Sequence, residues 1–300
     1  MSVILETNLS LPLFGRGKVR DTYDLGDRLL IIATDRISAF DFVLPNGIPD
    51  KGAVLNQLSA FWFEKTAHIV PNHVVKVITS PSMLAGLVSP GVACPDYLTG
   101  RAMVVRKAER IPVECVVRGY ISGSAWAEYK SSGTVSGMAM PPDLKESHQL
   151  AQPLFTPTTK ADTGHDEPLT PEQMDKLVGK KLAADLKKAA ISVYEFALNY
   201  ARQRGIIIAD TKFEFGLIDG KLSLIDELLT PDSSRFWDVA QYKVGTSPPS
   251  FDKQPVRDWL VASGWNKEPP APTLPPDVVK ATTQRYREAF RRLTGKELVT

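Results

Sequence analysis

Clusters and alternations of apolar residues divide the chain into a strand-rich first third and a mixed remainder. Val19 to Leu25 and Arg28 to Thr34 each read as a strand, and the Gly26-Asp27 turn between them is the sequence form of a β-hairpin. Val74 to Ile78, Ala102 to Lys107 and Val113 to Val117 predict further strands. One helix interrupts them, because Val54, Leu58, Phe61 and Trp62 recur at spacings of three and four. These elements predict a small α+β lobe.

From Ala139 to Pro171 the prolines at Pro141, Pro142, Pro153, Pro157, Pro168 and Pro171 remove any period, which predicts ordered loop. Next, Thr170, Pro171 and Gln173 supply an N-cap, a proline at the first helical position and a capping-box side chain. Met174, Val178, Leu182, Leu186, Val193, Phe196 and Tyr200 continue as an apolar stripe, with Gly179 placed to break the helix and Gly205 to stop it. GIIIADTKFEFGLIDGKLSLIDE then reads as a hydrophobic strand entering a hairpin centred on Asp219-Gly220. PPAPTLPP is a stiff connector, and Asp277 is expected to cap a last amphipathic helix carrying Val279, Tyr286, Phe290 and Leu293. No internal repeat is present.

With 300 residues, 43% of them hydrophobic and 23% charged, the chain has a globular composition. At roughly 150 residues per domain it is long enough for two lobes and a cleft; the expected division is 1–112 and 113–300. The formal net charge of +2 provides no basic field for nucleic acid, so an anionic ligand must be met locally. Cys94 and Cys115 form no CxxC pair, and His68, His73, His148 and His165 form no HxxxH, which excludes the common zinc hydrolases. The first residues lack a basic leader and no apolar run nears the ~18 residues that span a bilayer. The expectation is a cytoplasmic protein with no membrane contact.

Four segments could carry chemistry. In the second hairpin a three-residue loop, Ile218-Asp219-Gly220, pairs Leu217 with Lys221 and puts Asp210, Lys212, Glu214 and Asp226 on one face; a two-residue loop puts Glu214 and Asp226 on opposite faces. Paired carboxylates beside a lysine suit Mg²⁺ and a nucleotide. The bland alternative is a solvated strand face. GRGKVRDTY is not a Walker A loop, but a turn with Gly15, Gly17 and Lys18 before a strand can cover phosphates, unless it is a plain turn. RGYISGSAW places Arg118 and Ser124 at a helix start, as in an anion receptor or in ordinary strand-to-helix punctuation. DELLTPDSSRFWD and FDKQPVR add Asp232, Arg235, Lys253 and Arg257.

Six segments in this order, GKVRDTYD, TDRISAFD, PDKG, VECVVRGYISGS, ADTKFEFG and DELLTPDSSRFWD, resemble the phosphoribosylaminoimidazole-succinocarboxamide synthase (SAICAR synthetase) family in its longer, single-function form. The resemblance implies an α+β two-lobe fold with an antiparallel-sheet N-terminal lobe, a larger α/β C-terminal lobe and ATP with Mg²⁺ between them. It implies a ligase that joins carboxyaminoimidazole ribonucleotide (CAIR) to L-aspartate as ATP becomes ADP and phosphate. By the same resemblance Gly15, Gly17 and Lys18 meet ATP phosphates, the backbone from Lys107 to Ile111 takes adenine, and Glu214 and Asp226 hold Mg²⁺. Arg118, Ser124, Asp232 and Arg235 match ribonucleotide-binding positions, and Lys212, Lys253 and Arg257 match basic positions around phosphate and carboxylates. Asp35, Ser38 and Asp41 fall near the aspartate end, and Lys18, Lys212 and Arg235 are the candidate catalytic cations. Compared with the shorter bacterial form, the turn before Arg235 is one residue longer and the LFTPTTKADTGHDE block is expanded, which leaves Lys160, His165 and Asp166 without a role. The long form implies a monomer.

The residues fit that chemistry without the family. A carboxylate is a poor acyl donor because oxide would have to leave, so ATP first converts it to an acyl phosphate that an amine can attack. No histidine stands out as base. The rivals are a small-molecule kinase with a related nucleotide site and a nucleotide-binding module without turnover.

Overall fold

The computed structural model describes residues 3–40, 42–88, 92–160 and 166–300. In chain order the elements are Leu13–Arg16 (β1), Arg20–Asp24 (β2), Arg28–Ala33 (β3), Ser38–Ala39 (β4), Phe42–Val43 (β5), Lys51–Thr66 (α1), Val74–Ile78 (β6) and Ala102–Arg106 (β7). Then follow Glu109–Tyr120 (β8), Gly123–Ser132 (α2), Thr134–Val135 (β9), Met138–Ala139 (β10), Gln149–Phe155 (β11), Thr158–Thr159 (β12), Pro171–Val178 (α3) and Lys180–Arg202 (α4). Ile206–Ile218 (β13), Lys221–Ile225 (β14), Ser234–Asp238 (β15), Gln254–Ala262 (α5) and Pro276–Thr294 (α6) complete the chain.

Two antiparallel sheets organise the molecule. The first has the order β1-β2-β3-β7-β6, and its β2–β3 hairpin closes through the Gly26 turn as expected, with Leu25 N donating to Arg28 O at 3.0 Å. In the second, the long strands β8 and β13 lie side by side; β11 and β12 pair in succession along β8, and β14 and β15 along β13. Helix α1 packs against β3 and α6, with Leu58 and Trp62 fully buried. Its first turn lies on β3 only because residue 52 is glycine, since a β-carbon there would overlap the Ala33 carbonyl.

Local signals explain several boundaries. The capping box is formed: Gln173 N donates to Thr170 Oγ1 at 3.2 Å, and Thr170 N to Gln173 Oε1 at 2.7 Å. Gly179, at φ 85°, separates α3 from α4. Asp277 does not cap α6. The helix starts at Pro276 with Pro275 as N-cap, because proline at the first position lacks the N–H that would need a cap, and Asp277 lies in the first turn where the helix dipole favours a carboxylate.

The proline-rich stretch is not simply loop. Gln149 to Phe155 pairs with β8, and the irregularity between Gln149 and Leu154 contains Pro153, as an edge strand permits. The second hairpin also departs from expectation: Ile218 pairs with Lys221, leaving a two-residue loop with Asp219 at φ 51° and Gly220 at φ 72°. Positive φ at both positions makes the type I′ turn, whose twist matches the flanking strands better than the expected three-residue loop. Among the described residues no helix is long and apolar enough to cross a membrane.

Candidate active site

Strand alternation builds the site. On β13, Thr211, Phe213 and Phe215 are buried, and Asp210, Lys212 and Glu214 occupy the opposite face. Antiparallel register then brings neighbours to that face: Arg118, Val116 and Glu114 of β8 stand opposite Asp210, Lys212 and Glu214, and Arg235 of β15 stands opposite Asp210 from the other side. Residues far apart in sequence thus form one charged surface.

At one end is the pair Glu214 and Asp226. Glu214 is opposite Ile225, so continued alternation would send Asp226 to the far face. The strand stops first: Asp226 has φ 65°, and this left-handed backbone brings its carboxylate within electrostatic reach of Glu214. Burial and the Asp226 charge raise the Glu214 carboxyl above its ordinary value, with Lys160 and Arg20 opposing. For Asp226 burial works upward too, but Arg20, Lys160 and His73 outweigh it and hold the carboxyl low. Arg20, from the first sheet, lies 2.8 Å from Asp226 and 3.5 Å from Glu227. The His73 ring packs on Phe63 at 5.2 Å between centroids and lies within electrostatic reach of Asp226; burial pushes its pKa down to about 4. Lys160 bridges two carboxylates, at 2.8 Å from Glu214 and 2.7 Å from Glu114, and Lys212 reaches Glu114 at 3.1 Å. Burial would raise Glu114, but Lys212 and Lys160 keep it low.

The other end of the face is cationic. Arg235 ion-pairs with Asp210 and donates to Ser122 Oγ at 2.6 Å, and Ser122 Oγ donates to Asp210 at 3.1 Å. Arg118 lies 3.6 Å from Asp210 and donates to Thr156 Oγ1 at 3.0 Å and Ser124 Oγ at 3.4 Å. Gly123, at φ 57°, opens α2 here, and a β-carbon would stand 2.7 Å from the Arg235 guanidinium. In a separate buried cluster that acts on Arg20, Asp232 takes Lys51 at 2.7 Å, the Tyr286 hydroxyl at 2.6 Å and Lys253 at 3.8 Å. Burial opposes ionisation of Asp232, yet Lys253 and Lys51 hold its carboxyl well below the usual range. Arg257 lies near enough to Tyr286 to act on its hydroxyl.

Other expected residues stand apart. Gly15, Gly17 and Lys18 form the exposed β1–β2 hairpin, closed by Gly17 N donating to Arg20 O at 2.8 Å and supported by Arg36, which donates to Lys18 O at 3.1 Å and Gly17 O at 2.9 Å. Lys107 pairs with Asp24 at 2.8 Å at the junction of the sheets. Asp35 is buried and its carboxylate is taken up by Gly52 N at 2.9 Å, Arg101 at 3.0 Å and Ile4 N at 2.8 Å. That geometry anchors α1. Ser38 is half-buried on β4, while Asp41 and His165 lie outside the described residues.

A sequence profile described as SAICAR synthetase matches residues 13–272. The chain is 53% identical over 287 residues to a phosphoribosylaminoimidazole-succinocarboxamide synthase of Elusimicrobium minutum, covering 96% of this chain and 97% of that protein. It is 51% identical over 303 residues to the like-named protein of Syntrophobacter fumaroxidans, covering 99% and 97%. The chain belongs to the SAICAR synthetase family. Its fold is similar to that of a SAICAR-synthase from Saccharomyces cerevisiae complexed with SAICAR, with a TM-score of 0.90 at 44% identity over 99% of this chain and 100% of that one. A SAICAR synthetase from Pyrococcus horikoshii, at TM-score 0.67 and 23% identity over 93% and 98%, shares the fold. Nothing in these likenesses favours a small-molecule kinase.

Set in the SAICAR synthetase fold, several residues matter that the sequence did not single out: Arg20, Lys51, His73, Glu114, Ser122 and Tyr286. Arg20 and Lys51 sit inside the GKVRDTYD and PDKG segments, so their motifs were visible even though their partners were not. His73 and Tyr286 carry no local signal, because their contacts come from Asp226 and Asp232, respectively.

Proposed function

We propose that this SAICAR synthetase is an ATP-dependent ligase that condenses CAIR with L-aspartate to give the succinocarboxamide, ADP and phosphate. The observation that carries this is the single β8–β13–β15 face, with a carboxylate pair at one end and the Arg118–Asp210–Arg235 receptor at the other. The two lobes, 1–112 and 113–300, meet along it, with ATP between them and its adenine at the backbone from Lys107 to Ile111.

Glu214 and Asp226 fit a magnesium site. They are mutually repelling carboxylates, and among the described residues no group of three or more His, Cys, Asp or Glu side chains forms a cage by itself. Mg²⁺ characteristically takes one or two carboxylates and completes its shell with phosphate oxygens and water. Bound there, it would neutralise charge on the transferring phosphoryl group.

The chain's own residues do the rest. Arg118, Ser124 and Arg235 hold the ribonucleotide so that a carboxylate oxygen of CAIR faces the γ-phosphorus, while Asp210 and Ser122 lock the arginine geometry. Lys18 and the Gly15 to Gly17 backbone cover the phosphates, and Lys212 stabilises the charge that develops in transfer. As the new P–O bond forms, the bond to ADP breaks and leaves an acyl phosphate. The aspartate amine then bonds to the carbonyl carbon, the C–O bond to phosphate breaks, and the amine proton is lost. Lys253, Arg257 and Asp232 surround the substrate anions, and by family resemblance Ser38 and Asp41 are assigned to L-aspartate. Asp35 we assign to the scaffold. The long family form supports a cytoplasmic monomer, and sedimentation checks the monomer.

The test is ADP release with ATP, Mg²⁺, CAIR and L-aspartate, each omitted in turn, while product is followed. Dependence on all four with one ADP per product is expected. ADP release indifferent to aspartate would instead favour a kinase, and binding without turnover a nucleotide-binding module.

A further inference from the structure

We infer that Lys160 is the resident counter-ion of Glu214 in the nucleotide-free enzyme, that it yields this carboxylate to an incoming divalent cation and turns to the nucleotide phosphates, and that Glu114 is the buried positioning residue that keeps it within reach. This rests on the proposed metal role of Glu214.

Register supplies the first reason. Glu114 and Glu214 are directly opposite on neighbouring antiparallel strands, where like charges destabilise the sheet unless a cation lies between them. Lys160 bridges them at 2.7 and 2.8 Å. Burial supplies the second. Glu114 is only 4% exposed, and its side-chain partners among the described residues are Lys160 and Lys212. A carboxylate out of water is tolerable only when paired, so Glu114 holds the Lys160 ammonium in place whether or not Glu214 is engaged.

Reach supplies the third. The Lys160 backbone is tied to the start of β8 by its N–H to Pro112 O at 3.1 Å, while its flexible side chain allows the ammonium to change partners about the Glu114 contact. Asp226 is matched differently, by Arg20, which also engages Glu227 and is less free to leave. The two carboxylates thus have one exchangeable and one fixed cation.

Mn²⁺ binding to the nucleotide-free full chain, measured by calorimetry and the Mn²⁺ paramagnetic signal, tests this. Lys160→Met removes the competitor and should tighten Mn²⁺ binding about tenfold, while Lys160→Arg restores weaker binding. At saturating Mn²⁺, where Glu214 is taken by the cation, Lys160→Met should weaken ADP binding about tenfold through loss of the phosphate contact. Glu114→Gln leaves both lysines to Glu214 and should weaken Mn²⁺ binding about fivefold. Unchanged Mn²⁺ affinity in a folded Lys160→Met protein overturns the inference. Wild-type Mn²⁺ binding by Glu214→Gln would instead overturn the metal assignment beneath it, so the two failures are distinguishable.

Discussion

The two ends of the charged face share strand β13 and differ in electrostatic design. At Asp210 one carboxylate lies between two arginines, with Ser122 completing the contacts, so cationic charge is in excess and every group is locked by another. At Glu214 and Asp226 two carboxylates crowd together, and Glu214 has its pKa raised by burial and by its neighbour. The first arrangement is ready for an anion; the second gains from a cation. A few residues along one strand are enough to separate the two, because neighbouring strands contribute different partners at each register position.

The largest expected effect lies at the buried Lys51–Asp232 pair, whose charges act on Arg20 and are acted on by Glu227 beside the carboxylate end. Lys51 and Asp232 form a buried pair with side chains 0% and 6% exposed, and Lys51→Met should cost about 3–5 kcal/mol by leaving Asp232 without it. Urea unfolding measures the loss. The double variant with Asp232→Asn should recover much of it; no recovery would mean that packing around Lys51, not charge, dominates.

Asp226→Asn keeps volume but removes a proposed ligand, and should lower kcat about a hundredfold or more with little change in unfolding. A magnesium titration of activity is the check, and near-normal turnover at saturating Mg²⁺ would remove Asp226 from that role. Arg235→Lys retains charge without the planar fork, so the KM for ribonucleotide should rise about tenfold and that for ATP much less. Equal changes in both would dissolve the distinction between the ends.

The smallest effect concerns acid. Because the folded-state pKa of Asp232 is depressed, its contribution is fully present above the unfolded value of 3.8 and is lost as pH falls below it towards the folded value. Unfolding free energy should therefore fall progressively as pH drops below about 4, less steeply in the Lys51→Met/Asp232→Asn variant. Identical slopes would show that other carboxylates account for the loss.

Much of this site was legible in the chain, and the errors are instructive. Period-two alternation correctly placed Asp210, Lys212 and Glu214 together, since a strand side chain's face follows from its position alone. Asp226 was assigned to that side through a three-residue loop that does not exist; the two-residue turn forms, and a positive φ after the strand restores the encounter. Asp35 stood in a recognisable motif, TDRISAFD, but only the fold shows its carboxylate taken up by Gly52, Arg101 and Ile4. The proline-rich stretch hid an edge strand because one-sided pairing leaves little periodicity to detect.

The amino-acid pattern by itself determined that the β2–β3 and β13–β14 hairpins exist, the capped helix from Pro171, the charged face of β13 and the family, because each depends on neighbours a few residues apart or on ordered motifs. Only the tertiary structure decided that Arg20 reaches Asp226, that Lys51 and Tyr286 hold Asp232, and that Lys160 bridges Glu114 and Glu214. Those pairings join residues distant in the chain, and the low-dielectric surroundings that give them their strength arise only when the sheets and helices close over them.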